Sequence, residues 1–175
     1  MKTATIHELK QELQSVAPGR LLELCLRLAK FKKENKELLT YLLFESNDEE
    51  VYINSVKLMI DEDFTELPKS NLYLTKKSLR KTLRTINRYI RYTGSRQVEA
   101  ALLIYFSTKL KNAGIQLQKS MVLSNLYDQQ LKKIKAALHS LHEDLQYDYQ
   151  KDLDELKLDE NDGPSFFQLF RKKRS

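Results

Sequence analysis

Glycine and proline, the residues that most often interrupt regular structure, are scarce in this chain. Its 175 residues include four glycines and three prolines, where average usage gives about 12 and about 9. Sheet proteins need Gly, Asn or Pro turn chemistry at every tight hairpin. The shortage therefore argues against a sheet and leaves few points at which a helix has to stop. Between those points, apolar residues recur at three- and four-residue spacing, the period of an amphipathic helix.

About seven helices follow from the caps and stripes. Thr5 and Glu8 form a capping box, and a first helix is predicted to about Ser15 with Ile6, Leu9 and Leu13 on one face. Pro18 suits the first turn of a second helix, which carries Leu21, Leu22, Cys25 and Leu28 to about Lys33. A third, about Asn35 to Glu45, is apolar nearly all round through Leu42, Leu43 and Phe44 and is predicted to be buried. Asn47 or Asp48 caps a fourth, which ends near Phe64.

The stretch 67–74, with Pro68, Ser70 and Asn71, reads as the clearest internal loop and as a boundary between two halves. Thr75 is predicted to cap a fifth helix to Thr93, with Gly94 and Ser95 turning it into an antiparallel sixth. The sixth, from Val98 through Leu110, is the most apolar segment and is expected at the centre of the core. A long seventh helix is predicted from near Lys119 to about Leu156. Its apolar residues from Tyr127 to Leu145 keep heptad spacing, and the shift of the stripe beyond them predicts a kink near Gln146. The expected architecture is all-α: a helical bundle or a stack of antiparallel helical hairpins. It forms one domain over residues 1–157, with a long C-terminal helix and a short tail, 158–175.

Composition places this domain in water. No apolar run exceeds the seven residues Ala100–Phe106, whereas a membrane span needs about 20. The first eight residues contain no apolar stretch, so no signal peptide is expected. The single cysteine, Cys25, forms no intrachain disulfide and fits a reducing compartment, and a cytoplasmic location is expected. As part of the apolar set of the second helix, Cys25 reads as a small buried hydrophobe.

Charge is segregated along the chain. Glu45–Glu66 holds eight acids and one base, Leu67–Val98 nine bases and no acid, and Glu143–Asp162 nine acids and two bases. On the fifth helix, Leu79, Leu83, Ile86 and Ile90 form an apolar stripe, with Lys77, Arg80, Lys81, Arg84, Arg88 and Arg91 roughly opposite and Tyr89 and Tyr92 alongside. Arginine forks donate paired hydrogen bonds to phosphate, so such a row suits a nucleic-acid backbone. The plain alternative is a solvated face, or one neutralised by the acidic segments.

Other motifs point away from chemistry. His139 and His142 sit three apart, but a metal site needs further ligands converging from elsewhere, and the spacing does not match H-E-x-x-H. No glycine-rich phosphate loop and no G-x-S-x-G elbow occurs. No catalytic residue, metal or cofactor is expected, and the chain does not read as an enzyme.

In the tail, Phe166, Phe167, Leu169 and Phe170 precede Arg171–Arg174. They are costly to leave in water, at about 1.5–3 kcal/mol each. They read as docking back on the body, as a partner motif, or with the basic end as a membrane-surface anchor. The expected role is a binding or scaffold protein, with nucleic acid as the first ligand class and an acidic protein as the second. The alternative is an adaptor that forms a homodimer, or docks a protein, through the seventh helix or the aromatic tail.

Overall fold

The computed structural model describes residues 2–117 and 120–156. Their regular structure is all helical, with eight α-helices and no strand among the described residues. The chain divides between Asn47 and Asp48 into two compact units. Residues 157–175 lie outside the described residues, and with them Phe166, Phe167, Leu169, Phe170 and the basic end.

The first unit contains α1 (Ile6–Ser15), α2 (Pro18–Phe31) and α3 (Lys33–Thr40), followed by a π-helical turn, Tyr41–Glu45. The Thr5–Glu8 capping box forms: Thr5 N–H donates to the Glu8 carboxylate at 2.7 Å, and Glu8 N–H to Thr5 Oγ1 at 3.3 Å. Asn35 Nδ2 ties α3 to α2 through the Leu28 carbonyl at 2.9 Å.

Two expectations fail in this unit. Leu42, Leu43 and Phe44 are each more than half exposed, and Tyr41 is the unit's single buried residue among those described. Ser46 N–H reaches the Tyr41 carbonyl at 2.9 Å, an i→i+5 bond, so the run is a π-helical turn, and Tyr41 alone of its residues turns inward. Cys25 is half-buried rather than buried, because α2 also leaves Leu21, Leu22, Leu26 and Leu28 exposed. A unit this short has little interior in which to bury them.

The second unit contains α4 (Glu49–Thr65), α5 (Leu72–Thr93), α6 (Arg96–Asn112), α7 (Met121–His139) and α8 (Glu143–Glu155). Helix α6 packs against α4, α5 and α7, and α8 packs on α7. Val98, Ala100 through Ile104, Phe106, Ser107 and Leu110 of α6 are all buried, in line with the apolar density of that segment. Phe64 meets Phe106 edge-on at 5.6 Å between centroids. Gly94 closes α5 at φ 65°, a conformation glycine adopts without penalty, and Ser95 caps α6 through Val98 N–H at 3.3 Å.

Three boundaries differ from the sequence reading. Helix α5 starts one turn early because Asn71 Oδ1 accepts from Tyr73 and Leu74 N–H. Thr75 is instead buried inside the helix, with Oγ1 donating to the Pro68 carbonyl at 2.7 Å. That bond, buried Leu67 and the Thr82 Oγ1–Asp63 Oδ2 contact at 2.6 Å hold the 66–71 loop within the second unit, whereas the division between units falls at Asn47.

The long C-terminal helix is two helices, broken at Ser140–His142 rather than near Gln146. Ser140 and Leu141 close tight turns onto Ala137 and Leu138. His142 is extended, and its Nδ1 accepts from Asp144 N–H to start α8. The end of α8 is fastened by Tyr127, whose hydroxyl donates to the Leu156 carbonyl at 2.7 Å. Burial pushes that phenol up to about 12.

The two units differ in how much a leucine matters. Leu103→Ala, at 0% exposure in α6, is expected to cost about 2–5 kcal/mol. Leu28→Ala, at 61% exposure, is expected to stay within about 0.5 kcal/mol. Urea midpoints of the two variants measure the contrast, and equal shifts would contradict the burial pattern.

Candidate nucleic-acid interface

Helix α5 presents its bases because α6 takes its apolar side. Leu79, Thr82, Ile86 and Ile90 are buried, and the opposite arc is left to water. At about 100° per residue, the six predicted basic residues occupy one sector, yet they divide into two sets. Arg80, Arg84 and Arg91 lie within about 40° of one another, on the α7 side. Lys77, Lys81 and Arg88 continue the sector for about another 60°.

The first set lines a groove of about 630 Å³ between α5 and α7. Its α5 wall consists of Arg80, Arg84 and Arg91 with Asn87 and Leu83. The α7 wall carries Val122, Asn125, Leu126 and Gln129. Arg80, Arg84 and Arg91 are exposed, and at 1.5 Å per residue they span about 16 Å of helix. Lys133 of α7 reaches across to Asn87, with Nζ donating to Oδ1 at 3.1 Å. Asn87 Nδ2 is held by the Leu83 carbonyl at 2.6 Å. Beyond this bridge, a second recess is lined by Arg91, Arg96 and Lys133 together with Glu99.

In the second set, Lys77 and Lys81 are exposed and Arg88 is half-buried. The Arg88 guanidinium lies 5.4 Å from the Tyr89 ring centroid, and Tyr89 pairs with Tyr92 at 5.9 Å. Arg88 thus departs from the open row predicted for it. Its neighbour Tyr89 offers a ring face, and an arginine stem covers apolar surface readily.

The acidic segments go elsewhere. Among the described residues, no ion pair joins a carboxylate to Lys77, Arg80, Lys81, Arg84 or Arg91; pairs form at Arg20–Glu23, Arg96–Glu99 and Lys109–Asp61. Asp61 also accepts from the Tyr105 hydroxyl at 2.8 Å. Its hydrogen bond from Lys109 holds its carboxyl below the usual carboxylate range. Asp63 contacts α5 through the Thr82 hydroxyl rather than a base. Glu49, Glu50, Asp152 and Glu155 line a separate cleft between α4, α6 and α8. Helix α7's side of the groove was not foreseen, since Asn125, Gln129 and Lys133 read in sequence as an ordinary wet helix face.

His142 serves as the α8 cap, with Nδ1 3.2 Å from Asp144 Oδ2. No group of three or more His, Cys, Asp or Glu side chains gathers around a common point among the described residues. No described helix is long and apolar enough to cross a membrane. Comparison with protein families, curated proteins and solved structures finds no match to this chain.

The Asp61 cluster predicts an acid-side signature. A carboxyl with a depressed folded-state value contributes stability above its unfolded value of about 3.9, and that stability is lost as pH falls through the folded value. Between pH 5 and pH 3, Asp61→Asn is expected to lose less of its urea midpoint than the parent does. Parallel losses would show that the cluster does not bear on stability.

Proposed function

We propose that this is a binding protein rather than an enzyme, and that its ligand is nucleic acid held along α5. The observation that carries this reading is the row of Arg80, Arg84 and Arg91, exposed and without a carboxylate partner among the described residues. Guanidinium groups facing one groove gain little from each other and repel. A chain of phosphates relieves that repulsion, and the counterions released add to affinity.

Three phosphate contacts give a slope of about −2 to −3 in log affinity against log salt. Fluorescence anisotropy with labelled oligonucleotides across a salt series measures it. Arg80→Glu with Arg84→Glu is expected to abolish binding while leaving the helical circular dichroism unchanged. A flat salt response, or a double variant that binds like the parent, would refute the proposal.

A second reading, protein association, is favoured by the first unit, where Leu22, Leu28, Phe31 and Phe44 are all at least 60% exposed. Apolar groups collected on so short a unit are a typical partner surface. On this reading the protein self-associates in analytical ultracentrifugation, and Phe31→Glu with Phe44→Glu returns it to monomer. A parent protein that sediments as a monomer at high concentration counts against it.

A further inference from the structure

The two walls of the α5–α7 groove differ in chemistry, and the difference bears on which form of nucleic acid fits. We infer that the groove takes single-stranded nucleic acid, with the sugar–phosphate backbone on the α5 arginines and the bases turned toward α7. This inference rests on the nucleic-acid reading above and narrows it.

Phosphate is held first by cations, and amides can add to them or read a base edge. Here the wall facing the arginines carries two exposed amides, Asn125 and Gln129. Neither has a hydrogen-bond partner among the described residues, whereas Asn87 has both ends of its amide engaged. Each free amide offers a donor pair and an acceptor, the complement of a base edge. The two stand four residues apart, about 6 Å along α7, and Arg80 and Arg84 stand at the same interval on α5. Successive nucleotides can therefore meet one arginine and one amide each.

Both walls also carry apolar side chains, Leu83 on the α5 side and Val122 and Leu126 on the α7 side. Base faces cover such a surface and phosphates do not. Arginine planes add a further stacking surface. Among the described residues no aromatic ring lines this groove, so the base contacts they offer come from aliphatic and guanidinium surface.

A duplex fits this arrangement poorly. Its base edges lie within its own grooves, so a concave site meets only the outer phosphates. The amides and the apolar lining would stay uncovered, and only the arginine tips would engage. A single strand turns its bases out and fills both walls.

The experiment compares labelled 12-mer oligouridine and oligothymidine with a duplex of the same length, by anisotropy on the full chain at fixed salt. Either single strand is expected to bind at least about tenfold more tightly than the duplex, and the RNA and DNA arms identify which sugar is preferred. Asn125→Leu with Gln129→Leu is expected to remove about tenfold of single-strand affinity and leave duplex affinity and the urea midpoint unchanged. Duplex binding as tight as single-strand binding, with the same arginine dependence, overturns this inference and leaves the nucleic-acid reading standing. So does an amide variant that binds single strands like the parent. Absence of binding to all three probes overturns both.

Discussion

Helix α6 offers water almost no face, and the second unit is organised around that fact. Residues on all its sides are buried, from Val98 at one end to Leu110 at the other. Burying so apolar a helix requires neighbours on several sides, and α4, α5 and α7 each turn a stripe of side chains toward it. Once α5 commits Leu79, Ile86 and Ile90 to that contact, its arginines have only the outer arc. Two helices packed on a third diverge from one another above it, because each sits about 8–10 Å from the shared axis. The α5–α7 groove is that divergence, and the apolar residues that line it are the outer margins of the two stripes.

Much of this arrangement was legible in sequence where a single physical signal stood alone. The apolar density of residues 98–110 marked the central helix. Gly94 followed by Ser95 marked one helix end and the next start, since a left-handed residue and an N-cap have few substitutes. The failures came where two signals competed. Thr75 and Asn71 both suit an N-cap, and Asn71 prevails because a longer helix places the Thr75 hydroxyl against two buried-side carbonyls. The heptad spacing of Leu138, Leu141 and Leu145 runs straight through the break at Ser140–His142, so periodicity conceals it. The π-turn at Tyr41–Glu45 leaves no mark in composition. Its apolar run fits a buried helix equally well, and only the backbone register distinguishes the two.

The site was half legible. A helical wheel is enough to gather six bases on one face of α5, because that placement depends on local geometry alone. Dividing them into Arg80, Arg84 and Arg91 against Lys77, Lys81 and Arg88 depends on where α7 lies, and residues some forty positions away in the chain set that. The same distance hid Asn125, Gln129 and Lys133. The charge pattern along the chain left two outcomes open: acids covering the basic helix, or acids set apart from it. Asp61 decides part of this locally, because Tyr105 and Lys109 of α6 hold it through two hydrogen-bonding groups. Asp63 decides another part, since the Thr82 hydroxyl donates to its oxygen and no ion pair joins it to a base among the described residues.

Separating the charges also changes how the unit looks to an approaching polyanion. A net charge of +6 on the whole chain is a modest attraction, screened beyond about 8–10 Å at ordinary ionic strength. Steering must therefore come from local fields, which are strongest in clefts lined by one sign of charge. The second unit has a cleft of each sign. The α5–α7 groove carries three arginines, and the cleft between α4, α6 and α8 carries Glu49, Glu50, Asp152 and Glu155 with one opposing base, Lys57. A mixed surface of the same net charge would capture phosphate weakly in many orientations. On the proposed nucleic-acid reading, repulsion at the acidic cleft and attraction at the arginine groove would favour one orientation, so the carboxylates that do not neutralise α5 would help to direct the ligand onto it.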